Sequence, residues 1–197
     1  MQFTESHLHI EDHEFYLRYA EAFPVDGDPA YWASVWPSAL ALSQHLLAGE
    51  SLEGKQVLEI GCGCGLAGIA AGHQEAEVTV TDVEPKALAL AEENWQLNHL
   101  APARVTPLDW CNPDLDMQFD VILAADILYH PKDFPELVRS VHTLLAPQGT
   151  LILSEPGRPH AHEFFARMLH KGYTIDPHHY PVDLHGESFE IGVSEIF

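Results

Sequence analysis

The alternation of apolar and polar positions changes character near residue 55. Before it, residues 38–48, SALALSQHLLA, set Leu40, Leu42, Leu46 and Leu47 at near-helical spacing behind a Ser38 cap. Residues 1–30 mix an amphipathic patch, EFYLRYA, with a turn-rich PVDGDPA. From residue 55 short apolar runs alternate with helix-period stretches. KQVLEI reads as a strand and GLAGIAAGHQ as a small-residue helix lying close on a sheet. EVTVTDV is a strand, and PKALALAEENWQLNHL opens on proline and carries an apolar stripe, as a helix does. ARVTPLDW is a short strand, FDVILAADIL a buried strand, and FPELVRSVHTLLAPQG a helix closing near Gly149. TLILSEP is a strand, HAHEFFARMLHKG a helix, and YTIDPHHY and SFEIGVSEIF are two final β segments.

Strands alternating with helices of this length predict βαβ units and a mostly parallel sheet. The last two β segments leave no room for a crossover helix, so they are expected to pair antiparallel. The predicted fold class is α/β, a Rossmann-like three-layer sandwich around a seven-stranded sheet, with ligands beyond the carboxyl ends of its strands. The expected organisation is one domain. Residues 1–50 form an N-terminal helical extension that contributes to the pocket, and residues 51–197 form the core.

The stretch QVLEIGCGCGLAG, residues 56–68, carries the first chemical signal. Gly61, Gly63 and Gly65 alternate at a strand–helix junction, where backbone N–H groups favour an anionic group. Gly63, Gly65 and Gly68 satisfy G-x-G-x-x-G, and Asp82 closes the next strand where a ribose-binding acid belongs. That pattern alone fits a nicotinamide dinucleotide or S-adenosylmethionine. Glu59 separates them. A carboxylate repels a pyrophosphate but suits the ammonium of a methionine end, whose carboxylate the loop amides then take.

Composition narrows the setting. Thirty acidic residues face nine lysines and arginines, a formal net charge of −21. This disfavours nucleic acid and anionic lipid and favours a basic partner segment. The chain opens with no basic-then-apolar leader, and its apolar runs are too short to span a bilayer. Cys62, Cys64 and Cys111 have no framework or metal-ligand spacing and read as free thiols in a reducing cytosol. A cytoplasmic monomer with no metal is expected, and His160, His162, His170, His178, His179 and His185 read as exposed polar residues near a substrate rim.

VLEIGCGCGLAG, then TVTDVEP, PLDW and FDVILAADILYH, together resemble the seven-strand S-adenosylmethionine-dependent methyltransferases over roughly residues 31–160. YWASVWPSALALSQHLL and the D-x-x-Y of DILY resemble the protein-lysine methyltransferase group within them. LSEPGRP is similar to its electron-transfer-flavoprotein β-subunit branch. The resemblance implies S-adenosylmethionine as cofactor and a protein lysine as methyl acceptor. A small-molecule N-methyltransferase and a non-catalytic cofactor-binding module are the alternatives. It also implies that Trp36 closes the cofactor pocket, that Ala125 borders it, and that Asp126 and Tyr129 are catalytic. Beside it, Asp82 suits the ribose hydroxyls, Asp109 the adenine amino group and Trp110 the adenine face. Asp126, ending an apolar strand, suits capture of an incoming amine, and Tyr129 shapes its channel. EPGRP reads first as a turn that shapes a substrate-side loop, with Arg158 as an anchor for an acidic group the alternative.

Overall fold

Central strands buried on both faces decide the layering of the computed structural model, which describes residues 3–20 and 30–197. The turn expected at residues 24–30 lies, apart from Ala30, outside them. In chain order the elements are β1 (Thr4–Ile10), β2 (His13–Tyr19), α1 (Pro37–Ala48), β3 (Gln56–Ile60), α2 (Leu66–His73), β4 (Glu77–Asp82) and α3 (Pro85–Leu97). They continue with β5 (Arg104–Pro107), β6 (Phe119–Ala125), α4 (Phe134–Leu144), β7 (Leu145–Glu155), α5 (Ala161–His170), β8 (Ile175–Leu184) and β9 (Glu187–Ile196).

Seven strands form one sheet in the order β5-β4-β3-β6-β7-β9-β8. Strands β3 to β7 run parallel, and β9 alone is reversed, antiparallel to both β7 and β8. On one face Val57, Val121, Leu123 and Ile152 pack with residues of α1, α2 and α3. On the other, Leu58, Ile122, Leu151 and Leu153 pack with α4 and α5. The result is the three-layer sandwich that the alternation predicts.

Three local expectations are corrected. Residues 4–19 form a β-hairpin where a helical extension was expected. TESHLHI and HEFYLRY carry period two, and Phe15, Leu17 and Tyr19 all point inward. Helix α1 starts at Pro37 with Trp36 as its N-cap, and Ser38 lies buried inside its first turn. Proline at the first helical position presets the backbone angle there, so the helix begins one residue ahead of the serine. Helix α4 stops at Leu144 and the chain turns straight into β7, because Leu145 pairs with Phe119 across a bulge.

Asn94 on α3 and Asn98, the residue that caps its C-terminus, hold the hairpin down. Asn98 Oδ1 accepts from the Tyr16 amide at 3.0 Å and its Nδ2 donates to the Tyr16 carbonyl at 2.8 Å. Asn94 repeats the pattern on Arg18, at 2.7 and 3.0 Å, and also donates to the Cys64 carbonyl at 2.8 Å. Their side chains thus supply β2 with a substitute strand edge, and Asn94 ties that edge to the glycine turn.

Asn94→Ala leaves several buried polar groups unpaired. It is expected to lower stability by about 2–4 kcal/mol, or Tm by roughly 5–10 °C, in thermal unfolding. Hydrogen exchange should rise first in β2.

Candidate functional site

The carboxyl ends of β3, β4 and β6 converge on the glycine turn. Gly61, Gly63 and Gly65 have φ of +64°, +54° and +83°, a region that residues with a side chain rarely adopt. The space that their missing side chains would take is filled by the protein itself. A Cβ on Gly61 would lie 2.9 Å from the Trp110 ring, one on Gly63 would lie 3.0 Å from the Trp32 carbonyl, and one on Gly65 would lie 3.1 Å from the Ala91 Cβ. The glycines therefore serve turn geometry and close packing around the loop. Trp32 is a wall that sequence reasoning missed, since nothing in YWASVW distinguishes it from its neighbours.

Gly68 has a different reason. A Cβ there would lie 2.5 Å from Glu59 Oε2. Glu59 is buried on β3, and that oxygen has no hydrogen-bond partner. Burial pushes its carboxyl up to about 8, with the Asp82 charge adding to it and the amides of Gly68 and Ala67 opposing. One oxygen of this buried acid therefore keeps acceptor capacity for a further donor.

Asp82 ends β4 and joins the strand to the turn. Its Oδ2 accepts from the Gly63 amide at 3.1 Å and its Oδ1 from the Glu84 amide at 2.9 Å. Burial raises its pKa, and these amides pull it back. Each oxygen keeps acceptor capacity for a hydroxyl.

Past β5, the exposed Asp109 accepts from the Cys111 amide at 2.8 Å through Oδ1. Trp110 spans the loop, packing on Gly61 and meeting Tyr129 edge-on at 6.1 Å. Trp36 caps α1 and donates through Nε1 to the Tyr31 carbonyl at 2.9 Å. Ala125 closes β6 opposite Ser154.

Asp126 follows with φ +55°, a strained value for a non-glycine residue, held by its amide bond to the Ser154 carbonyl at 2.9 Å. Arg158 binds its carboxylate, Nε at 3.0 Å and Nη2 at 2.5 Å, both on Oδ1. Oδ2 remains for another donor. Burial raises the Asp126 pKa and Arg158 opposes it. The acidic group that Arg158 meets is thus Asp126 of the same chain, and EPGRP folds as a turn, Glu155 Oε2 accepting from the Gly157 and Arg158 amides at 2.9 and 2.8 Å. The phenol of Tyr129 is pushed up to about 12, first by burial and then by Asp82, Asp133 and Asp126, so it is neutral and can donate.

The remaining candidates separate. The buried Cys62 and Cys64 thiols are pushed up by burial, Cys64 to about 12, so neither is a thiolate at neutral pH. His160 bonds the Leu128 carbonyl at 2.8 Å and His162 the Pro159 carbonyl at 2.6 Å, so both stabilise loops. His178 leaves the rim altogether and packs against His45, ring centroids 5.0 Å apart.

Comparison with known proteins follows this geometry. A family profile described as "Lysine methyltransferase" matches residues 27–172. EEF1A lysine methyltransferase 3 of Mus musculus is 33% identical over 173 residues, 82% of this chain and 69% of that protein. The electron transfer flavoprotein beta subunit lysine methyltransferase of Danio rerio is 33% identical over 161 residues, 80% of this chain and 61% of that protein. Among solved structures, magnesium protoporphyrin IX methyltransferase from Synechocystis PCC 6803 with bound SAM superposes with a TM-score of 0.64. Identity there is 19%, over 80% of this chain and 77% of that one.

The buried Glu59 makes stability pH-dependent. Its folded pKa, about 8, lies above the ordinary 4.5, so stability is complete below 4.5 and declines as pH rises towards 8. At 1.36 kcal/mol per pH unit, Glu59→Gln is expected to remove about 3–4 kcal/mol of the loss between pH 5 and pH 8. Urea unfolding of both proteins at the two pH values measures it.

Proposed function

The chain belongs to the lysine methyltransferase family, and from that premise we propose that it transfers a methyl group from S-adenosylmethionine to a lysine side-chain amine of a protein. The observation that carries the reading is Asp126. This carboxylate ends a buried strand beside the glycine turn, is oriented through one oxygen by Arg158, and keeps the other open.

The residues present fit the cofactor. Glu59, held mostly neutral by burial, would ionise against an ammonium; the turn amides offer donors to a carboxylate, and Asp82 offers acceptors to ribose hydroxyls. Asp109 and Trp110 flank the place expected for adenine, with Trp36 and Ala125 on the pocket's border. Trp32, whose carbonyl lies against Gly63, would wall its outer side. S-adenosylmethionine, when bound, supplies an electrophilic methyl carbon.

The acceptor amine poses the harder problem. A lysine of ordinary pKa 10.4 must lose a proton, costing about 4–5 kcal/mol at pH 7. Asp126 alone would favour the ammonium, so its work is capture and alignment, and the barrier falls through desolvation and orientation. Tyr129, neutral and half-exposed next to Trp110, shapes the channel and can hydrogen-bond the amine. The net charge of −21 suits a basic target segment by long-range attraction.

Incubation with radiolabelled S-adenosylmethionine and host lysate, then mass mapping, tests the reading. Label on a protein lysine is the expected result; label confined to small amines, or none, overturns it. Asp126→Ala should cut transfer roughly a hundredfold and leave cofactor Kd largely unchanged.

Arg158 is a positioning residue. Arg158→Ala should lower kcat/KM about tenfold, with partial rescue by Lys. Because the guanidinium opposes the raised Asp126 pKa, its loss should move the acidic limb of the pH profile to higher pH. A pH profile that stays in place would refute that role.

A further inference from the structure

A second cluster of side chains lies at the amino ends of the parallel strands, opposite the glycine turn. It lines a cleft of about 440 Å³ that also touches Lys55, Val121 and Thr150, residues at the starts of β3, β6 and the paired part of β7. His45 from α1, His178 from β8 and Glu195 from β9 meet there, with one ligand atom of each within 4.8 Å of the others. The geometry points to a zinc site formed by these three residues.

Four observations carry it. His45 is buried, and its Nε2 lies 2.9 Å from Glu195 Oε1. Its Nδ1 lies 2.9 Å from the Tyr180 hydroxyl, which orients the ring and accepts the Nδ1 proton when Nε2 ligates. His178 Nε2 is buried with no hydrogen-bond partner, a lone pair otherwise unexplained. The β8–β9 register sets Asp176 opposite Glu195 on the face that carries His178 and Tyr180, and Asp176 Oδ2 lies 3.7 Å from His178 Nε2. A fourth oxygen, from Asp176 or from water in the cleft, is therefore at hand.

The donor set selects the ion. Two imidazoles and a carboxylate in tetrahedral reach suit zinc, whereas magnesium and calcium prefer all-oxygen shells. Zinc–nitrogen and zinc–oxygen bonds of about 2.0–2.2 Å put ligand atoms roughly 3.3 Å apart. The His45–Glu195 pair is already within that span, and rotation of the part-exposed His178 closes the remainder. Such an ion would staple the last turn of α1 to the β8–β9 hairpin, a structural role remote from methyl transfer.

The test uses the full chain stripped of metal with a chelator and titrated calorimetrically with zinc chloride or magnesium chloride. Zinc should bind one per chain with micromolar or tighter Kd and, at a hundredfold excess over Kd, raise Tm by about 5–10 °C, while magnesium does neither. Cobalt in the same site should show the intense visible absorption of tetrahedral coordination. His178→Ala and Glu195→Gln should each weaken zinc binding at least tenfold, and His170→Ala, exposed at the end of α5, should not. Unchanged S-adenosylmethionine affinity of the variants confirms that they are folded. Absence of stoichiometric zinc, or equal zinc affinity in His178→Ala and Glu195→Gln, overturns the assignment.

Discussion

The left-handed turn after β3 is the constraint on which the rest of the structure depends. It can be made only where side chains are missing, and each missing side chain admits a different element. Trp110 closes on Gly61, Trp32 on Gly63 and α3 on Gly65, while Glu59 occupies the space above Gly68. Asp82 then bonds the Gly63 amide and fastens the turn to the neighbouring strand. A glycine-rich loop is usually credited with letting a ligand approach. Here its first duty is to let the protein approach itself.

The acids around this turn follow one electrostatic logic. Glu59, Asp82 and Asp126 each end or nearly end a buried strand, and burial raises the pKa of all three. Burial disfavours the charged form of each, so a nearby cation is what restores it. Arg158 meets part of that demand at Asp126, and the ammonium of the cofactor and the amine of the acceptor are suited to meet the remainder. The same imbalance extends over the whole chain, with thirty acids against nine lysines and arginines.

Helix α1 links the two ends of the molecule. Trp36 caps it at the ligand end, and His45 in its last turn reaches the β8–β9 hairpin. Ser154 Oγ donates to the Ser38 carbonyl at 2.8 Å, which holds the first turn of the helix to β7. A clamp at the far end would therefore act on the same helix that carries Trp36. The glycine turn and the His45 cluster thus lie at opposite ends of one helix.

Much of this was legible in the order of residues. Period-two and period-3.6 patterns located all seven strands of the main sheet and the five helices, and the short link between YTIDPHHY and SFEIGVSEIF forced the reversed strand. The glycine spacing with Glu59 and Asp82 pointed to one end of the sheet, and the structure brings these residues together there, because those signals lie within one βαβ unit. The N-terminal hairpin was not legible, because EFYLRYA reads as an amphipathic patch and its period two shows only once Phe15, Leu17 and Tyr19 are seen to face inward together. The tertiary structure alone decided the partnerships between distant residues. Arg158 meets Asp126 across 32 positions, Asn94 meets Arg18 across 76, and His45 meets Glu195 across 150. Local periodicity records which face of an element is buried. It does not record which neighbour that face will meet, since that follows from the sheet order and the handed crossovers that bring remote segments together.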